Sequence, residues 1–157
     1  MSIIGLPSGT DWLYTVPYAM VSIVIVAIWK GAGYNMLLFL AGLQSIDESF
    51  YEAAYIEGAS GWQRFWSITF PLLTPTTFFI VLNSIIISFQ GIDQVYVMTQ
   101  GGPDNTTNMI LYYIYQHGFM FWNVSYASTA SAVLFGILLV ITLIYFYGLQ
   151  RFVNYER

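Results

Sequence analysis

The sequence predicts an all-α integral membrane protein with three transmembrane helices and one short helix outside the bilayer. Three observations carry that prediction. Charged residues make up 8% of the 157, against about 25% in an ordinary soluble domain. The apolar share is 57% and the mean hydropathy +0.64, so a soluble fold of this size would lack its polar skin. The charges are also bunched. Residues 12–29, 31–46, 65–92 and 105–150 contain none, and a helix needs roughly 20 apolar residues to cross the hydrocarbon core.

The same composition excludes several function classes. Four Lys and Arg are too few for the phosphate contacts of a nucleic-acid binder. Disorder is excluded by the abundance of apolar and aromatic residues. Cysteine is absent, which removes disulfides, thiolate metal sites and thiol chemistry. There is no P-loop pattern, so the chain itself is not expected to bind nucleotide, and no cofactor, metal or catalytic residue is expected. His117, the single histidine, has no acidic partner nearby and reads as an interfacial side chain. An intramembrane enzyme would need two ionisable or nucleophilic groups at one depth. The spans offer Lys30, plus Ser and Thr without a paired base, so the chain is not read as an enzyme.

Residues 1–16 are expected to be an extracytoplasmic segment. They carry no basic residue before the first apolar run and do not read as a signal or transit peptide. The first span is expected over 17–43, kinked near 31–33 at Gly31-Ala32-Gly33. Lys30 then sits deep in the membrane, where facing lipid is costly. It is expected to meet a polar neighbour, the helix break or an internal cavity.

The connection 44–67 holds Asp47, Glu48, Glu52, Glu57 and Arg64. Ser45 to Glu48 and Ser49 to Glu52 each fit a capping box, and Gly58 suits a helix stop. A short helix is therefore expected near 48–57, outside the bilayer. The second span is expected over 68–89. Pro71 falls in its first turn, where the missing N–H is tolerated, and Pro75 one turn further in should bend it. Asn83 within this span either hydrogen-bonds across helices or lines a cavity.

Residues 90–125 form the next connection. Thr99 to Asp104 is a turn signal. The aromatic cluster from Tyr112 to Trp122 reads as an interfacial belt in preference to a ring-stacking platform. Asp93 either contacts a solute or partner, or caps the polar end of a span. The third span, 126–148, carries Ser128, Ala132 and Gly136 at four-residue spacing, a stripe that lets another helix approach closely. Residues 149–157 are a tail. Three spans put 44–67 and the C-terminus on one side, with Arg64, Arg151 and Arg157. The other side has Asp11, Asp93 and Asp104 and no Lys or Arg. The positive-inside rule makes the arginine side cytoplasmic.

The most informative stretch is Glu52-Ala53-Ala54-Tyr55-Ile56-Glu57-Gly58, followed after nine residues by Ile68-Thr69-Phe70-Pro71. On residues alone, two readings stand. One is an ordinary solvated loop helix. The other is an exposed helix whose two alanines leave a low surface for a partner, with Glu52 offered to an Arg or Lys opposite. The stretch resembles the EAA loop of binding-protein-dependent ABC importers: Glu-Ala-Ala, three residues, Gly, nine residues, then Ile-x-Leu-Pro. Glu52, Ala53, Ala54, Gly58, Ile68 and Pro71 match that pattern. Phe70 stands where Leu is usual and Glu57 where Asp is common. Ile28-Trp29-Lys30, Leu40 to Ile46 and Asp93 to Pro103 resemble the carbohydrate-uptake branch, of the maltose and glycerol-phosphate type.

The resemblance implies the C-terminal half of a six-span permease core in a bacterial cell membrane, crossing it several times. The remaining half would lie N-terminal to Met1, as in a fragment, a truncated reading frame or a split gene. It implies a permease subunit of an ATP-driven importer of sugars or sugar-like solutes. The partners it implies are cytoplasmic ABC ATPase subunits, a second permease subunit and an extracytoplasmic solute-binding protein. Coupling to the ATPase falls on Glu52, Ala53, Ala54, Glu57 and Gly58. Lys30, Asn83 and Asp93 are candidate cavity or binding-protein contacts. The alternative is a truncated structural or regulatory membrane subunit without transport activity of its own.

Overall fold

The computed structural model describes residues 11–149. Most of segment 1–16 and almost all of the tail 149–157 lie outside the described residues, Arg151 and Arg157 of the orientation argument among them. Among the described residues every regular element is helical. In chain order these are α1 (Tyr18–Gln44), α2 (Glu48–Ile56), α3 (Gly61–Arg64), a π-turn (Phe65–Thr69), α4 (Phe70–Leu72) and α5 (Thr74–Ser88). They are followed by α6 (Ile92–Met98), α7 (Ile110–Tyr115), a second π-turn (Gln116–Met120) and α8 (Val124–Leu149). Helices α1 and α8 are each long and apolar enough to cross a membrane. The pair Gly61–Leu72 and Thr74–Ser88 is long enough only when taken together.

The two spans expected to bend differ in their backbone. Helix α1 runs through Gly31 and Gly33 as one helix, so its backbone ladder is not interrupted where the kink is expected. Glycine costs a helix about 0.5–1 kcal/mol relative to alanine, but it keeps its N–H and the hydrogen-bond ladder stays closed. Proline does not. The second span, expected over 68–89 with a bend at Pro75, is a pair bent by 61°. The bend expected from Pro75 is present and falls just ahead of it, at Leu73. Pro75 has no N–H to give the carbonyl of Pro71, and its ring crowds that carbonyl. The arm before the bend reaches back to Gly61.

That arm starts on a capping box. The Ser60 hydroxyl accepts from the Gln63 N–H, and the Gln63 side chain accepts from the Ser60 N–H at 2.8 Å. The boxes expected at Ser45 and Ser49 are not used. Ser45 donates its hydroxyl back to the Gly42 carbonyl at 2.7 Å. The N-cap of α2 is Asp47, whose carboxylate accepts the Ser49 N–H at 2.8 Å. A carboxylate there meets an orphan donor and also the positive end of the helix dipole. The hydrogen bonds from Ser49 hold the Asp47 carboxyl below its ordinary range.

The chain divides into two compact units. One takes in the chain up to Lys30 together with Ile87–Ile137. Its core is Ile23, Val95 and Tyr112, all buried, with Ile92, Met98, Met109 and Tyr115 against them. The turn expected at Thr99 to Asp104 forms, with positive φ at Gln100, Gly101, Asp104 and Asn105. It closes over Thr107, which is fully buried and donates its hydroxyl to the Gly102 carbonyl at 2.7 Å. The aromatic cluster is partly internal. Tyr112 stacks with Tyr115, Tyr115 with Phe119, and His117 lies against Tyr113, Phe121 and Tyr126. Phe119, Phe121 and Trp122 remain exposed. The stripe Ser128, Ala132, Gly136 is exposed, with open space above Gly136. The buried residues of α8 in this unit are Ala127 and Leu134.

The other unit contains Gly31–Ile86 and the chain from Leu138. Its buried side chains are few, Ile80 and Thr69 among the described residues. Helices α1 and α5 meet where Gly42 faces Thr76. A Cβ on Gly42 would fall 2.7 Å from the Thr76 hydroxyl oxygen, so this contact depends on the missing side chain. Gly42→Leu is expected to push the two helices apart and cost about 1–3 kcal/mol, the range for overpacking. A lower thermal unfolding midpoint of the detergent-solubilised permease is the measurement. Across the same unit Tyr145 donates its hydroxyl to the Phe78 carbonyl at 3.2 Å.

Candidate functional site

Helix α2 is built to be seen. None of its residues is buried. Ala53 is exposed and Ala54 half-buried, so neither is committed to a core. Glu48, Tyr51, Glu52 and Tyr55 fall at three- and four-residue spacing and share one face. With Ile56 and Arg64 they line an open groove. Arg64 lies on α3 and turns onto the Tyr55 ring, 6.0 Å from its centroid. Its Nε is buried and makes no hydrogen bond among the described residues. It does not pair with either carboxylate of the groove. Among the described residues the one ion pair is Lys30 with Asp93. Glu48, Glu52 and Glu57 therefore have no ion-pair partner among the described residues.

The helix ends in a closed cap. Glu57 is the C-cap, so the helix stops one residue short of the expected 57. The Gly58 N–H reaches the Tyr55 carbonyl at 3.0 Å and the Ala59 N–H the Ala54 carbonyl at 3.0 Å, a Schellman pair. That geometry puts Gly58 at φ +76°, a left-handed value cheap only for glycine. The Tyr51 hydroxyl lies 2.9 Å from the hydroxyl of Thr69, which ties α2 to the foot of the arm that follows.

Of the second candidate group, Lys30 and Asp93 lie in one compact unit and Asn83 in the other. Lys30, in α1, forms an ion pair with Asp93, in the first turn of α6. The polar neighbour expected for Lys30 is thus identified. Gly91, not Asp93, is the N-cap of α6. The Lys30 ammonium holds the Asp93 carboxyl below its ordinary value, with burial opposing. A lowered carboxyl stabilises the folded chain above its unfolded pKa and loses that contribution as pH falls through the folded one. Both side chains are more than half exposed, so the pair contributes roughly 0.2–1 kcal/mol. The unfolding midpoint of wild type should therefore exceed that of Asp93→Asn at neutral pH and converge with it in acid.

Asn83, on α5, is half-buried and makes no side-chain hydrogen bond among the described residues. The polar contact between α1 and α5 falls one residue later, where Asn35 donates its amide to Ser84 at 3.5 Å. Sequence reasoning missed Asn35, although a polar amide inside an apolar span was the same signal that singled out Asn83. It also missed Tyr51, Thr69 and Arg64 as neighbours of the Glu52 face.

Residues 1–154 match the family described as binding-protein-dependent transport system inner membrane component. The sn-glycerol-3-phosphate transport system permease protein UgpA of Rhizobium meliloti (strain 1021) is 41% identical over 151 residues, covering 94% of this chain and 52% of the relative. The lactose transport system permease protein LacF of Rhizobium radiobacter is 42% identical over 154 residues, 96% of this chain and 51% of the relative. The sulfoquinovosyl glycerol transport system permease protein SmoG of Agrobacterium fabrum (strain C58 / ATCC 33970) is 36% identical over 137 residues, 87% and 44% of the two chains. The chain thus spans about half the length of the curated relatives it matches.

Proposed function

This chain belongs to the family of binding-protein-dependent transport system inner membrane components, and from that premise we propose that it supplies a three-span portion of a permease subunit in an ATP-driven sugar importer. The observation that carries the reading is the form of α2. The Glu52-Ala53-Ala54…Gly58 stretch folds as an exposed helix closed by a left-handed glycine, the shape a coupling helix needs. A separate cytoplasmic ATPase docks on Glu52, Ala53, Ala54, Glu57 and Gly58. Its motion tilts the spans and alternates access to a central cavity, as rigid-body gating of packed helices does. A second permease subunit completes that cavity. An extracytoplasmic solute-binding protein delivers solute on the side of Asp93. Residues 44–67 face the cytoplasm of a bacterial cell, and the permease crosses its membrane several times.

The solute is a neutral saccharide in this reading. Of the relatives, LacF is named for lactose, a neutral saccharide, whereas UgpA is named for sn-glycerol 3-phosphate, an anion. A phosphorylated solute needs buried cations, and the one cation within the spans of this chain, Lys30, is already paired with Asp93. Asn83 then faces the cavity, where its amide can serve sugar hydroxyls. The test is ATP-dependent uptake of radiolabelled lactose and sn-glycerol 3-phosphate into proteoliposomes holding the complete permease, the ATPase and the binding protein. Lactose uptake that disappears without ATPase or binding protein is the expected result. Uptake of sn-glycerol 3-phosphate alone would overturn the neutral-solute reading. ATP-independent uptake of either would overturn the importer.

A further inference from the structure

We propose that the Tyr51–Thr69 hydrogen bond seats α2 on the foot of the second span, so that the two move as one piece, and that Tyr51 is a positioning residue for coupling. The proposal rests on the reading of α2 as the ATPase-facing helix and adds the route by which its motion leaves it.

Four observations carry it. Helix α2 has no buried residue, and only Tyr51 and Ala54 are half-buried, so apolar packing holds it weakly. Its chain link to the arm is the short turn through Gly58, and a single point of attachment is a pivot. A second attachment converts a pivot into a rigid bracket. The hydroxyl pair at 2.9 Å is that attachment, and the Thr69 end of it is buried, 9% exposed. In such surroundings a hydrogen bond is stronger than in water and costlier to lose. The other side-chain link of α2, Arg64 over Tyr55, spans 6.0 Å, the outer reach of a cation–π contact.

Thr69 is also placed where a push has leverage. It closes the π-turn Phe65–Thr69, in which the Phe70 N–H bonds back to the Phe65 carbonyl. Its own carbonyl accepts the Leu73 N–H at 3.0 Å, and the 61° bend follows at once. Such π-turns inside helices recur at functional sites. A displacement of Tyr51 therefore reaches Thr69 directly, at the base of the bend, and swings α5.

The experiment measures that rigidity without a transported solute. This chain has no cysteine, so in a permease whose other parts are freed of cysteine, Phe50→Cys on α2 and Phe79→Cys on α5, both exposed, take one spin-label pair. The distance distribution is recorded for the complete permease in nanodiscs by double electron–electron resonance, and ATPase docking by co-purification. The native pair should give one narrow distance. Tyr51→Phe and Thr69→Val should each widen it, with a roughly fivefold larger unseated population, as loss of one hydrogen bond implies. The double variant should be no wider than either single one, and Thr69→Ser should look native. ATPase docking should survive Tyr51→Phe. An unchanged distribution in Tyr51→Phe, or additive widening in the double variant, overturns the seat. Loss of docking in Tyr51→Phe overturns the positioning role, because Tyr51 would then touch the ATPase itself. Failure of the coupling-helix reading is separate: it shows as normal docking in Glu52→Ala, whatever the label distances do.

Discussion

Gly58→Val is expected to abolish coupled uptake while leaving the permease in the membrane. The reason is backbone geometry. Gly58 stands at φ +76°, and a Cβ built there meets nothing within 4 Å. Crowding is therefore absent, and the whole cost lies in the left-handed conformation. That cost is about 1–2 kcal/mol for an L-residue, and a β-branched one is a worse case still. To escape it the chain must rotate out of the left-handed region. The hydrogen bonds from Gly58 to Tyr55 and from Ala59 to Ala54 then open, and α2 leaves at a different angle. Every group on its outward face is displaced together, so the loss exceeds what any one side chain contributes. Gly58→Asn separates this account from a packing effect, because Asn tolerates the left-handed region. Uptake of lactose or sn-glycerol 3-phosphate, whichever the importer carries, should be largely kept in Gly58→Asn and lost in Gly58→Val. Equal, native uptake in both would sink the role given to the turn.

What could be read from the sequence was whatever depends on neighbours along the chain. The helical class, the apolar stretches, the stop at Gly58 and the bend ahead of Pro75 all rest on local chemistry, and all are present. The same local rules overreached in two ways. They gave Gly31 and Gly33 the power to break α1, although glycine keeps the N–H that proline lacks. They also nominated Ser45 and Ser49 as caps, whereas Asp47 sits at the extended position where a carboxylate can reach the Ser49 N–H. The pattern used for those serines also fits Ser60 to Gln63, which is the box that forms. What could not be read was pairing across the fold. Lys30 with Asp93 is separated by 63 positions, Tyr51 with Thr69 by 18, and Asn35 with Ser84 by 49. No periodicity encodes such pairs. Small residues show the same limit. Within this chain a bare backbone meets another helix at Gly42, against Thr76.

Glu52→Ala is expected to leave the permease folded and to weaken ATPase docking by about 1–3 kcal/mol, the range for losing a hydrogen bond to a charged group. The fold should be indifferent. Glu52 is exposed and makes no ion pair among the described residues. Surface changes of that kind usually stay within about 0.5 kcal/mol, and alanine is the better helix former. Docking should not be indifferent. Glu52 shares its face with Glu48, and like charges four residues apart on a helix repel. Arg64, which lines the same groove, is turned onto Tyr55 and relieves neither of them. Among the described residues nothing offsets that repulsion, and a cation supplied by the ATPase would. Glu48→Ala is a weaker comparison, because that residue also faces the positive end of the helix dipole. The measurement is a binding titration of the ATPase against the permease in nanodiscs, at low and at high salt. A charge-dependent contact should weaken as salt rises in wild type, and Glu52→Ala should flatten that dependence. Native affinity with an unchanged salt slope would remove Glu52 from the interface, and with it the charge argument for α2 as the coupling helix.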